Sequence, residues 1–125
     1  MLIDDDETDQ IINELLITAS NFADKRIIKF SSEAALNFLK HEAVENDQVP
    51  DIIFLDIRMP LADGFQFLEE YKHLPEVIIG KAKVVMLSSS IDDSDMKRAN
   101  ENKFVKYFLN KPLTLEKLAD LKAKI

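Results

Sequence analysis

A chain of 125 residues with 46% apolar positions can fill one buried core, and its 23 acidic against 16 basic residues leave a formal charge of -7. That balance disfavours both a surface for the phosphate backbone and docking on anionic lipid, so no nucleic acid and no membrane is expected as partner. The sequence has no cysteine, which removes disulfides and thiolate metal sites; apolar runs such as Ile52 to Leu55 are too short to cross a bilayer, no basic-then-apolar leader opens the chain, and a cytoplasmic protein is expected.

Apolar runs alternate with helical patterns throughout, without a linker or repeat, so residues 1–125 read as one domain. Leu2 and Ile3 form a first strand, and Asp4, Asp5 and Asp6 follow it. A helix comes next, whose apolar positions Ile11, Ile12, Leu15, Leu16, Ala19 and Phe22 share one face. Arg26 to Phe30 reads as a second strand, and Ser31 or Ser32 caps a helix with Ala35, Leu36, Phe38 and Leu39 inward. Ile52 to Leu55 is a strand buried on both faces, and it ends at Asp56. Pro60 and Asp63-Gly64 make a loop before a helix carrying Phe65, Phe67, Leu68 and Tyr71. Val84 to Leu87 is a fourth strand running into Ser88, Ser89 and Ser90. A mostly polar helix over 92–102 has Met96 and Ala99 as its inward residues. Val105 to Leu109 is a fifth strand, broken by Lys111-Pro112; Thr114 caps a last helix with Leu115, Leu118, Leu121 and Ile125 inward.

Five strands alternating with five helices predict a doubly wound α/β domain, a parallel sheet with helices on both faces. Ligands of such sheets sit at the carboxyl ends of the strands. Those ends carry Asp4 and Asp5, Asp56, Ser88 and, just beyond the fifth strand, Lys111. Three carboxylates at one edge repel one another, and a hard cation such as Mg²⁺ or Mn²⁺ relieves that repulsion. A carboxylate can also act as a nucleophile toward phosphorus, with cation, ammonium and hydroxyl sharing the transferring charge. Taken singly, each residue has a plainer reading: an Asp as a helix cap, Ser88 as a turn residue, Lys111 as a solvated charge.

The runs Leu2-Ile3-Asp4-Asp5-Asp6-Glu7, Phe54-Leu55-Asp56-Ile57-Arg58-Met59-Pro60 with Asp63-Gly64, Val84 to Ser90, and Phe108-Leu109-Asn110-Lys111-Pro112-Leu113 resemble, in order, the four signature blocks of response regulator receiver domains. The resemblance spans essentially the whole chain and is to the single-domain type that lacks an output domain. It implies the flavodoxin-like strand order 2-1-3-4-5. It also implies a phosphorylation-dependent switch of a two-component or phosphorelay system, loaded by a histidine kinase or histidine phosphotransfer protein and read by a downstream protein target. Asp56 is then the phosphoacceptor, and the domain assists only its own phosphorylation and dephosphorylation. Asp5 is a direct metal ligand, Asp4 acts on the metal through water, and the Arg58 carbonyl completes the set. Lys111 pairs with the phosphoryl group, Ser88 bonds a phosphoryl oxygen, and Phe108 is the aromatic switch residue, which as a strand aromatic also reads as ordinary core. The resemblance further implies a cis Lys111-Pro112 bond, and it makes Arg58 and Ser90 the positions that tune phosphoryl lifetime.

Two other readings stand beside this one. A haloacid-dehalogenase-type phosphatase also uses an Asp after an apolar strand but needs an acid two positions on, where this chain has Arg58. A receiver-like binding module that never takes phosphate would be expected to lack an acid or the lysine, and both are retained. A calcium loop over 4–15 is excluded by Leu15 and Asp9 at the positions needing Glu and Gly, and His41 and His73 read as solvated.

Overall fold

The computed structural model describes residues 1–89 and 92–125. Among them run β1 (Leu2–Ile3), α1 (Glu7–Ala19), β2 (Ile28–Lys29), α2 (Ser32–His41), β3 (Ile52–Asp56), α3 (Gly64–Tyr71), α4 (Glu76–Ile79), β4 (Lys83–Ser88), α5 (Asp93–Glu101), β5 (Val105–Asn110) and α6 (Leu115–Lys124). The strands form one parallel sheet in the order β2-β1-β3-β4-β5, as expected.

Alternation along the strands divides the core in two. Ile3, Ile53, Leu55, Val84 and Met86 face one side, where Ala35, Leu36 and Leu39 of α2, Phe67, Leu68 and Tyr71 of α3, Ile78 of α4 and Ala99 of α5 cover them. Leu2, Phe54, Val85 and Leu87 face the other, against Ile17 of α1 and Leu118 and Leu121 of α6. β3 and β4 are buried on both faces, which is why their sequences read as unbroken apolar runs. Asp6, Ser31, Asp63, Asp92 and Thr114 cap α1, α2, α3, α5 and α6, each side chain accepting from a backbone N–H of the first turn.

The structure departs from the sequence reading at several helix faces. In α1 the buried residues are Gln10, Asn13 and Ile17, whereas Ile11, Ile12, Leu15 and Ala19 are exposed and Leu16 and Phe22 only part-buried. The Gln10 amide reaches inward to the carbonyls of Leu2, Asp4 and Lys29 at 3.0–3.2 Å, so the helix is keyed to β1 and β2 by a polar residue. In α5, Asp95 is buried with Ala99 while Met96 is exposed, and in α6 Leu115 and Ile125 are exposed. α4 follows Pro75 as an extra single turn that buries Ile78. β2 keeps only two of its five expected residues. His41 and His73 are exposed, as read.

Candidate functional site

Parallel pairing fixes which residues meet at the carboxyl edge. Asp56 pairs in register with Leu87, so Ser88 lies one step beyond it, and Ser88 pairs with Asn110, which precedes Lys111. The Lys111 N–H donates to the Ser88 carbonyl at 2.7 Å, and the Lys111-Pro112 bond is cis. Asp4 follows β1 directly and leads the chain toward α1, its Oδ1 accepting from the Asp6 N–H at 2.9 Å.

The outcome is a compact charged cluster. One carboxylate oxygen from each of Asp4, Asp5 and Asp56 lies within 4.8 Å of the other two. Lys111 Nζ donates to Asp4 Oδ2 at 2.8 Å and to Asp9 Oδ2 at 2.9 Å, and stands 3.4 Å from Asp56 Oδ1. Asp4, Asp56 and Ser88 are buried, while Asp5 is exposed at the rim. Burial first, then the neighbouring Asp4 charge, pushes the Asp56 carboxyl up to about 7 against the opposing pull of Lys111 and the Arg58 backbone N–H. Burial alone would lower the Lys111 ammonium, but hydrogen bonds to Asp4 and Asp9 and the charges of Asp56 and Asp4 outweigh it and hold the group above its ordinary range. Three crowded carboxylates, one of them driven toward protonation, fit a divalent oxygen-seeking cation, which would relieve both the repulsion and the desolvation.

Other expected residues lie close by without joining the cluster. The Arg58 side chain turns to α5, bonding the buried Asp95 and standing 3.7 Å from Asp92, so that only its backbone faces Asp56. Phe108 pairs with Met86 in the sheet and packs, part-buried, on the core covered by α2 and α3. Ser90 lies outside the described residues. Two contributors went unread in the sequence, Asp9 and Asp95. In the sequence Asp9 stood out only as the residue where a calcium loop would need glycine; no local pattern announces a lysine 102 positions away.

Gly64 explains the Asp-Gly pair behind the site. A Cβ there would lie 2.8 Å from the Asp56 carbonyl oxygen and 3.0 Å from Met86 Cε. Gly64→Ala is therefore expected to cost ~1–3 kcal/mol in urea denaturation, where helix propensity alone would make alanine stabilising. A more stable variant would mean that the backbone has slack here.

This strand order, with acids and a lysine meeting at the carboxyl edge, defines the doubly wound receiver class of α/β domain. The chain belongs to the response regulator receiver domain family, whose family model matches residues 1–122. Receiver domains are signalling regulators of two-component systems. A two-component response regulator from Cytophaga hutchinsonii is 32% identical and superposes with a TM-score of 0.89 over 98% of this chain and 92% of that one. The probable methanogenesis regulatory protein FilR2 of Methanothrix harundinacea is 34% identical over 86 residues, 69% of this chain and 54% of that protein. The response regulator Rcp1 of Synechocystis sp. is 29% identical over 97 residues, 77% of this chain and 65% of that protein. A structure of the Mn²⁺-bound form of Rcp1 superposes at 26% identity and a TM-score of 0.74, covering 99% of this chain and 88% of that one. The chain thus spans between about half and two-thirds of the length of these two curated relatives. Among the described residues, no helix is long and apolar enough to cross a membrane.

Proposed function

We propose that residues 1–125 act as one cytoplasmic phosphoacceptor switch, with Asp56 taking the phosphoryl group. The observation that carries this is the convergence of Asp4, Asp5 and Lys111 on the buried Asp56, with Lys111 Nζ 3.4 Å from the acceptor carboxylate. A histidine kinase or histidine phosphotransfer protein supplies the group: an Asp56 oxygen attacks phosphorus, the P–N bond of the donor phosphohistidine breaks, and the imidazole leaves with the bonding pair. Mg²⁺ or Mn²⁺, held by Asp4, Asp5, Asp56 and the Arg58 carbonyl, would supply charge neutralisation at the phosphoryl oxygens; the Mn²⁺-bound form of Rcp1 supports that choice. Lys111 and the Ser88 hydroxyl take the remaining oxygens, and the pull on β4 and β5 biases the face around α5 and Phe108 toward the form that a downstream protein reads. The exposed Ile11, Ile12 and Leu15 rise along α1 from the site rim and offer an apolar surface for the donor.

Incubation with Mg²⁺ and a small phosphodonor, followed by intact mass, tests the assignment. One phosphoryl adduct is expected, absent from Asp56→Asn. An unmodified native chain, or an adduct that survives the substitution, would refute it.

A further inference from the structure

Lys111 has more acceptors than a phosphoryl-binding lysine needs. Its ammonium lies within hydrogen-bonding distance of Asp4 and Asp9, and its approach to Asp56 is the longest of the three. We infer that Asp9 is a positioning residue that restrains the switch: it holds Lys111 at the α1 side of the site and competes with a phosphoryl group on Asp56 for the same ammonium. The inference rests on the phosphoacceptor reading above.

The two carboxylate partners of Lys111 respond differently as the site fills. Asp4 belongs to the set of carboxylates that converge within 4.8 Å, so a cation there takes up its charge and weakens its hold on Lys111. Asp9 is outside that set. It sits in the first turn of α1, where its own N–H is fixed by the Asp6 cap at 3.0 Å, and its carboxylate retains full claim on the lysine after the cation binds. The ammonium has three donors, two of them spent on Asp4 and Asp9, and it stands 3.4 Å from Asp56, so drawing it in to give a phosphoryl oxygen the third bond at full strength stretches its contact with Asp9. A ligand that gains Lys111 only in the occupied state thus shifts the equilibrium by its advantage over Asp9 and by no more than that.

The test uses beryllofluoride, a phosphoryl mimic, titrated with saturating Mg²⁺ into the native chain, Asp9→Asn and Glu7→Gln. Glu7 stands in the same exposed first turn and appears in no contact with Lys111 among the described residues, so its variant removes equal charge from the same end of α1. Asp9→Asn is expected to bind beryllofluoride about threefold to tenfold more tightly, with Glu7→Gln within about twofold of native and Mg²⁺ affinity little changed in both. Phosphoryl lifetime should lengthen in the same variant. Equal gains in both variants would overturn the inference in favour of a general charge effect. Unchanged or weaker binding by Asp9→Asn would also overturn it, since Asp9 would then merely hold Lys111 ready for the phosphoryl group. A native chain that ignores beryllofluoride removes the phosphoacceptor reading instead, and the inference with it. Should Asp9→Asn fold poorly, Asp9→Ser is expected to show the same gain, and its absence there would be equally decisive.

Discussion

Asp56→Asn is expected to abolish phosphoryl uptake and, in the same tube, to make the protein harder to melt. The two effects share one cause. Asp56 is buried beside Asp4 with only part of the Lys111 ammonium to offset it, and its carboxyl is pushed up to about 7 from an ordinary 3.8. Between those values the folded chain binds more protons at this position than the unfolded chain, so stability falls as pH rises from about 4 to 7 and the cost is complete above that range. Asparagine keeps the shape and removes the charge, while Lys111 retains Asp4 and Asp9. At pH 8 without divalent cation the variant should gain ~1–3 kcal/mol, roughly 4–12 °C in melting temperature for a chain of this size. At pH 4 the gain should vanish. Mg²⁺ at pH 8 should stabilise the native chain more than the variant and so narrow the gap. Thermal melts at the two pH values, with and without Mg²⁺, check all three statements; a variant less stable than native at pH 8 would mean that the Asp56 carboxylate is already well compensated. The same titration gives a functional edge: at limiting Mg²⁺ the uptake rate should drop as pH falls below about 7, because the protonated carboxyl is no nucleophile.

The parts of the fold that were legible in the sequence are those set by period and punctuation. Ile52 to Leu55 ends in Asp56 because a doubly covered strand has no polar residue until it leaves the sheet, and the same logic located Ser88, whereas Lys111 was placed by the Lys111-Pro112 break after the part-buried β5. Thr114 and Ser31 were readable as caps because their chemistry is local. What escaped depends on partners far along the chain. The α1 stripe of Ile11, Ile12 and Leu15 has the period of an inward face, yet Gln10 takes the interior, where its amide donates to three backbone carbonyls at the β1–β2 edge. Met96 lost its inward place to Asp95 because Arg58, from the loop after β3, brings a counter-charge that makes the buried acid tolerable. Asp9 is hidden for the same reason as these two. Apolar periodicity speaks for burial, but it carries no information about which charge lies opposite, and the site is built from such pairings.

Lys111→Met is expected to move stability and metal affinity in opposite directions. The ammonium is the cation closest to three carboxylates, two of them buried. Methionine preserves the apolar stem and removes the charge, leaving Asp4 and Asp56 facing each other uncompensated. Removing one member of a buried ionic cluster costs a few kcal/mol; with Asp9 part-exposed and able to hydrate, ~2–4 kcal/mol is expected at pH 8 without divalent cation. The lysine's own titration does not enter over this range. Its folded value is raised, so its contribution is present in full below the ordinary lysine range and fades only as pH climbs beyond it. Any extra slope between pH 4 and 8 in the variant therefore belongs to the carboxylates, and stability should fall more steeply with pH than in the native chain. Mg²⁺ should reverse most of the loss, because a divalent ion no longer meets a resident positive charge: its affinity should rise about threefold to tenfold. Phosphoryl uptake should nevertheless drop by ~10²-fold, since the charge that Lys111 places against the transferring group is lost even with the metal site saturated. Fluorescence or calorimetric titration with Mg²⁺ beside the uptake assay separates these effects. Weaker Mg²⁺ binding by the variant would mean that Lys111 organises the acids instead of competing with the metal, and uptake at the native rate would remove it from the transfer step.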